Sequence, residues 1–291
     1  MNSQLLVKER QVNEPKKVAA FFDLDNTLIR GATLLIAAPV LRANGFISRA
    51  TLVRAGVGAK VFEHLGATEA RVDKVKKIAL EIVDGWNREE MFKFVEGTLD
   101  DLFRPLIHAE GLKLVKEHID LHHEVAVVSS SPIELVRPIA SMFGIHHAIA
   151  TEVRLDADGN YTNEFAQWVS GKAKPDAVRA FARHRGINLS ESFGYSDSRT
   201  DIGFLQTVGN PICVNPDREL SRHARENGWD IRSFADPRKP VNAPERRLAG
   251  NPWIQAGAGV AGVASVAAIS AAGVAISRHL GDHSLAVQTR S

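Results

Sequence analysis

From Glu110 to Glu226 short apolar runs alternate with helical stretches, and this alternation is the strongest constraint on the fold. The spacing predicts a helix to about Leu121, a strand over Glu124 to Val128, a helix from Pro132 to Phe143 and a strand near Ala148 to Val153. It continues with a helix over Pro175 to Arg185, a strand over Ser192 to Ser196 and a helix over Thr200 to Val208. A strand over Pro211 to Val214 and a helix over Pro216 to Glu226 complete the series. Strands separated by helices of this length pair in parallel, giving an α/β fold with a Rossmann-like core. Asp158-Gly159, between Leu155 and Tyr161, marks a small hairpin on that sheet. Another short apolar run, Val18 to Phe22, reads as a buried strand near the N-terminus.

Between that first strand and the alternating region, roughly Thr33 to Phe103, the periodicity is helical and no convincing strand occurs. Val72, Val75, Ile78, Ala79, Ile82 and Val83 form one apolar face. Asn87 with Glu90 offers a capping start for a helix that buries Met91, Val95, Leu99 and Leu102. The organisation that follows is a polar segment 1–16, a core from 17–30 and 106–235, and a helical insert over 31–105. A linker with Pro237, Pro240 and Pro244 spans 236–252, ahead of an uncharged segment 253–277 and a tail 278–291.

Trp253 to Ile276 carries no charged residue and, as a helix, measures about 36 Å, enough for a bilayer core of about 30 Å. We therefore expect a C-terminal transmembrane helix. Gly257, Ala261, Ser265 and Gly273 offer it a close-packing seam. Arg238, Lys239, Arg246 and Arg247 precede the segment, which places the large N-terminal part in the cytoplasm. The polar start, Met1 to Lys17, has no signal-peptide pattern. A net charge of +2 without a basic, aromatic-interleaved stripe excludes nucleic acid as the expected partner. The one cysteine, Cys213, sits in an apolar run and reads as a small buried hydrophobe.

Chemistry concentrates after the strands. Asp23 and Asp25 follow the first, Ser129 the second, and Asp197 and Asp201 the strand ending at Ser196. In an open parallel sheet these loops meet at the carboxyl edge, and strand alternation would send Asp23 and Asp25 the same way. A lone Asp-x-Asp is more often a cap or a turn, so the agreement of three loops carries the inference. Ser131 could cap a helix with Pro132 in its first position, giving an anion backbone donors beside Ser129. Lys174, just ahead of Pro175, and Lys172 read in isolation as solvated surface charges. Arg199 reads equally as a substrate contact or a surface charge. His122-His123 and His146-His147 lack ligand spacing and read as surface histidines, and Gly56-Val57-Gly58 precedes no recognisable phosphate-binding helix.

Asp23-x-Asp25-x-Thr27, Ser129, Lys174 and the Asp197/Asp201 pair together resemble the four motifs of the haloacid dehalogenase superfamily, in its phosphoserine-phosphatase-like branch (subfamily IB). The likeness covers about Val18 to Phe234. It implies a phosphatase with a helical cap between the first two motifs. In that reading Asp23 is the nucleophile and Asp25 the general acid and base, while Ser129 and Lys174 bind the phosphoryl group. Mg2+ is held by Asp23, the Asp25 backbone carbonyl and Asp197, with Asp201 in support. Phosphoserine phosphatases of this branch carry a glutamate seven residues after the second aspartate, and here that residue is Ala32. The expected substrate is thus a small phosphomonoester other than phosphoserine, or, if the tail is an anchor, a phospholipid head group. A phosphotransferase sharing the acyl-phosphate, or a scaffold on the same fold, are the alternatives. A scaffold would show a broken motif, and none is broken.

Overall fold

A computed structural model of the protein describes residues 17–48 and 69–235. The linker at 236–252, the expected membrane segment 253–277 and Gly56-Val57-Gly58 lie outside the described residues, as do the two end segments 1–16 and 278–291. Among the described residues no helix is long and apolar enough to cross a membrane.

Seven strands form one sheet, ordered β4-β3-β2-β1-β5-β6-β7. They are β1 (Ala19–Phe22), β2 (Glu124–Pro132), β3 (His147–Leu155), β4 (Tyr161–Gln167), β5 (Phe193–Ser196), β6 (Asn210–Val214) and β7 (Asp230–Arg232). Every neighbouring pair is parallel except the β3–β4 hairpin. Strand β1 lies at the centre, buried throughout. The chain builds outward from it through β2 to β4, then returns to its other side with β5. The carboxyl ends of β1 and β5 therefore flank the switch point where open α/β sheets bind ligands.

Alternation along β1 feeds two cores. Ala20 and Phe22 join one apolar cluster with Leu114, Val115, Val136 and Ile139. Ala19 and Phe21 join the opposite one with Val178, Ala182, Phe204 and Leu220. Helices α4 (Ala109–Asp120) and α5 (Ile133–Met142) serve the first face, and α6 (Ala173–Arg185), α7 (Ile202–Leu205) and α8 (Arg218–Asn227) the second. Cys213 is fully buried in the second cluster, as expected for an apolar role.

Between β1 and β2 come α1 (Thr33–Ala43), α2 (Glu69–Val83) and α3 (Arg88–Phe103). Asn87 caps α3 by accepting bonds from the Glu89 and Glu90 amides at 3.0 and 3.3 Å. Met91 and Val95 are buried against Ala37 and Leu41 of α1, and Leu102 packs partly buried beside them. On α2 the expected apolar face is only half-buried, and Leu80, outside that face, is the buried residue. This insert is tied to the hairpin. Gly85 N donates to Tyr161 O at 3.1 Å, Tyr161 N to Trp86 O at 2.8 Å and Arg88 N to Gly159 O at 3.0 Å. The side chain of Arg88 reaches Glu134 on α5 at 3.2 Å and Glu152 on β3 at 2.7 Å.

Several expectations are corrected. The β2 backbone stays extended through Pro132, which itself occupies the cap position of α5, so Ser131 caps nothing with its side chain. Helix α6 begins at Ala173, which places Lys174 inside its first turn. The helix expected over Thr200 to Val208 is a 3-10 turn, Arg199–Asp201, followed by the short α7. Beyond it the chain passes close beside Ser190, where a Cβ at Gly209 would meet the Ser190 carbonyl oxygen at 1.7 Å. Strand β7 was not anticipated, since its three residues are exposed and have no apolar run.

Candidate active site

After Phe22 the backbone keeps one more ladder bond, from Asp23 N to Tyr195 O at 2.9 Å, and then turns. The Leu24 carbonyl accepts from Leu28 N at 3.0 Å and Ile29 N at 3.1 Å, closing the loop. Asn26 enters the left-handed region at φ +56° and its side chain accepts from Gly31 N at 3.0 Å. Because the strand stops at Phe22, regular alternation does not carry both aspartates, and they take different partners. Asp23 meets Lys174, whereas Asp25 accepts from Thr33 N at 2.9 Å and from the Thr33 hydroxyl.

Lys174 is the hub. Its ammonium lies 2.6 Å from Asp23 Oδ1 and 2.6 Å from Asp201 Oδ2, and all three side chains are buried. Backbone bonds from Ala173 N to Ser170 O and from Lys174 N to Gly171 O set the first turn of α6 that aims it. Lys172, the other candidate, is exposed and stands at the cap position. Ser196 Oγ donates to Asp201 Oδ2 at 2.7 Å, fixing that carboxylate from the end of β5. Thr27 Oγ1 donates to Asp197 Oδ1 at 3.4 Å, linking the loops after β1 and β5. Ser129, buried at the end of β2, accepts from Ser131 N at 3.1 Å and stands outside the bonded cluster. Arg199 points elsewhere, pairing with Glu219 at 2.8 Å on the surface.

Burial pushes the Asp23 carboxyl well above its ordinary value; Lys174 opposes that, and Asp201, Asp197 and Asp25 add to it. Burial likewise raises Asp25, against the two bonds from Thr33. Asp197 is pushed up to about 7, by burial first, with Asp201 adding and its backbone and Thr27 bonds opposing. Burial alone would lower Lys174, but Asp201 and Asp23 outweigh it and hold the ammonium charged. The two contacts of 2.6 Å are the geometry of charged partners, so the ion pair with Lys174 holds Asp23 ionised against the upward push of burial.

Four carboxylates thus face one ammonium, a surplus of hard oxygen donors that calls for a cation. No three His, Cys, Asp or Glu side chains among the described residues converge into a ready-made metal cage. The donors on offer are all carboxylate oxygens, a set suited to a hard cation that completes its shell with water and phosphate oxygens, and they include none of the cysteine or histidine ligands of a structural zinc.

The sequence reasoning missed Thr33, Ser196 and the Arg88–Glu134–Glu152 contact. A hydroxyl at the first residue of a helix was the available signal for Thr33. The histidine reading also needs amendment. His122 and His146 are exposed, but His123 Nδ1 lies 2.8 Å from His118 Nδ1, and His147 Nε2 lies 3.2 Å from Glu124.

A doubly wound α/β protein with a buried cluster of carboxylates and one ammonium at the switch point of its parallel sheet is the class this fold and site define. The sequence model of the haloacid dehalogenase-like hydrolases matches residues 20–206, and the chain belongs to that family as a phosphatase of its phosphoserine-phosphatase-like kind. It is 35% identical over 230 residues to the "Inhibition of morphological differentiation protein" of Streptomyces azureus, covering 79% of this chain and 82% of that one. It is 30% identical over 223 residues to a histidinol-phosphatase of Neisseria meningitidis serogroup C, covering 75% and 99%. Its fold matches a phosphoserine phosphatase solved as a phospho-aspartyl intermediate analogue, with a TM-score of 0.52 and 20% identity over 76% of this chain and 95% of that one.

Proposed function

We propose that this phosphatase hydrolyses monoesters of phosphoric acid through a phosphorylated Asp23, working between a core of residues 17–30 and 106–235 and a helical cap of residues 31–105. The observation that carries the reading is the Lys174 ammonium held 2.6 Å from both Asp23 and Asp201 at the switch point. It occupies Asp23 Oδ1 and so leaves Oδ2 to attack phosphorus. As the new Oδ2–P bond forms, the ester P–O bond breaks and Asp25 gives its proton to the departing alcohol oxygen. Asp25 then takes a proton from the water that attacks phosphorus and frees Asp23. Lys174 neutralises charge on nucleophile and phosphoryl oxygens, and Ser129 donates its hydroxyl to one of those oxygens. A magnesium ion held by Asp23, the Asp25 carbonyl and Asp197, with Asp201 in support, would supply the charge that lets a phosphate dianion approach these carboxylates.

Ala32 argues against phosphoserine as the preferred substrate. It precedes α1, and its methyl offers no charge to an ammonium group. Leaving such a group unpaired costs roughly 1 to 3 kcal/mol, about fivefold to a hundredfold in specificity. The uncharged run 253–277 supports a second reading, a phosphate ester presented at a membrane surface. A panel of phosphomonoesters, phospholipids in detergent included, tests both with Mg2+ present and chelated. Hydrolysis should require the ion, and phosphoserine should rank below the best ester. Asp23→Asn should reduce turnover by roughly four orders of magnitude or more without loss of fold. Beryllium fluoride should trap wild type on Asp23. An active, folded Asp23→Asn protein would overturn the mechanism. Retention of the full chain on membranes through carbonate washing, and its absence in a chain ending near Asp236, would support the membrane-presented ester.

A further inference from the structure

Thr33 stands eight residues beyond Asp25, fully buried, as the first residue of α1. Its amide donates to Asp25 Oδ1 at 2.9 Å, and its hydroxyl donates to the same oxygen. Two donors on one carboxyl oxygen leave that oxygen an acceptor only. A proton on Asp25 must then sit on Oδ2, and the plane of the carboxyl is fixed by the direction of the two bonds. The loop between the two residues is itself braced. Gly31 N donates to Asn26 Oδ1 at 3.0 Å, and Arg30 N donates to Leu106 O at 2.8 Å. The helix that carries Thr33 is anchored by Ala37 and Leu41, both buried against Val95 and Phe103. Thr33 is thus held rigidly at both ends of its own segment, as a group that aims another must be.

We propose that Thr33 is a positioning residue for the acid step. Its hydroxyl selects Oδ2 of Asp25 as the proton-bearing oxygen and points it at the ester oxygen of the substrate. The inference rests on the reading of Asp25 as general acid, and it adds a residue that none of the four motifs contains. In the step itself the Oδ2–H bond breaks and an O–H bond forms on the leaving alcohol, as the P–O ester bond gives its electron pair to that oxygen. A leaving group that is already a stable anion needs this proton little, while an alkoxide needs it fully. Misaiming the acid therefore harms poor leaving groups and spares good ones.

The test compares kcat/KM for 4-nitrophenyl phosphate, phenyl phosphate and benzyl phosphate in wild type, Thr33→Val, Thr33→Ser and Asp25→Asn, with Mg2+ saturating. The ratio kcat/KM reports the steps through transfer to Asp23, before water enters. Thr33→Val, which keeps shape and amide but loses the hydroxyl, should lose on the order of tenfold or more on benzyl phosphate and less than about threefold on 4-nitrophenyl phosphate. Thr33→Ser should restore the wild-type pattern. Should the valine variant unfold, Thr33→Ala gives the same comparison, with urea midpoints separating stability from chemistry. Equal losses on all three esters, or no loss, would show that Thr33 only packs, and the proposal would fall while the general acid stood. If Asp25→Asn itself spares benzyl phosphate as much as 4-nitrophenyl phosphate, the assignment of Asp25 as the acid falls, and this proposal with it.

Discussion

Strand β5 presents two buried polar clusters, one from its backbone at the catalytic edge and one from a side chain on its inner face. At the edge, Asp23 hangs from the Tyr195 carbonyl and pairs with Lys174, which also holds Asp201. On the face, the Tyr195 hydroxyl lies 2.8 Å from His118 Nε2, and His118 Nδ1 lies 2.8 Å from His123 Nδ1. The first cluster is charged and out of balance, with carboxylates in excess. The second is neutral and closes on itself, wrapped by Phe22, which stacks on Tyr195 at 4.3 Å, and by Phe193. A cluster that serves only the fold can satisfy its members from within. Under the proposed function the edge cluster keeps capacity for a phosphate and a cation, and the free protein should be less stable for it.

The contrast can be broken most forcefully at Lys174. Lys174→Met preserves the length of the side chain but removes the ammonium bonded to Asp23 and Asp201. Breaking a buried ion pair from one side costs about 3 to 5 kcal/mol, because the remaining charges stay buried together. Urea unfolding at pH 7.5 without Mg2+ should show that loss, and acid should reduce it as the carboxylates take up protons. A loss below about 1 kcal/mol would mean that water already reaches these carboxylates, and that their excess charge costs the fold little.

Asp197 sharpens the same point with the opposite sign. Its pKa is raised to about 7 from the ordinary 3.8, so its contribution to stability is full below the lower value and disappears as pH rises through the upper one. In metal-free protein at pH 8, Asp197→Asn should therefore raise stability, by about 2 kcal/mol once partial exposure is allowed for. The amide oxygen can still accept from Thr27. Saturating Mg2+ should stabilise wild type more than the variant and remove the difference, while the variant loses activity. Thermal melts across pH, with Mg2+ or chelator, measure this, and a variant less stable than wild type at pH 8 would contradict it.

How much of this was legible in the sequence follows from what each feature depends on. The parallel sheet and the placing of Asp23, Asp197 and Asp201 after its strands follow from the succession of short apolar runs and helices, which the sequence displays, whereas Lys174 is singled out only by the motif order of the family it resembles. Ser131 and Pro132 misled because a helix start was inferred from residue types alone, whereas the pairing of β2 with β3 holds Pro132 in extended backbone. Thr33 carries only a weak signal, because hydroxyls at helix starts are common and nothing local shows that this one turns back on a carboxylate. The His123 reading failed for a related reason. His123 N bonds back to His118 O at 3.0 Å as α4 ends, and that tight exit brings two rings five residues apart into contact.

His118 supplies the smallest effect and the cleanest test of a neutral cluster. Burial first, then the neighbouring His123 and Arg232, lowers its pKa from 6.5 to about 4. A group lowered in this way favours the folded state fully above pH 6.5, and that benefit fades as pH falls toward 4, because the unfolded chain binds the proton first. Between pH 7 and pH 5 the wild type should lose about 1 kcal/mol from this source, after discounting for partial solvent screening. The carboxylates at the edge shift stability the other way over the same range, so the absolute change in wild type is not diagnostic. The difference between His118→Gln and wild type is, since the two clusters share a strand but no bonded side chain, and effects of non-contacting sites add. Gln can still reach the Tyr195 hydroxyl while carrying no titrating ring. Urea midpoints at pH 7 and pH 5 should show the variant gaining on wild type by that amount. A constant difference would mean that His118 protonates in the folded state at ordinary pH, and that the face cluster is no more closed than the edge.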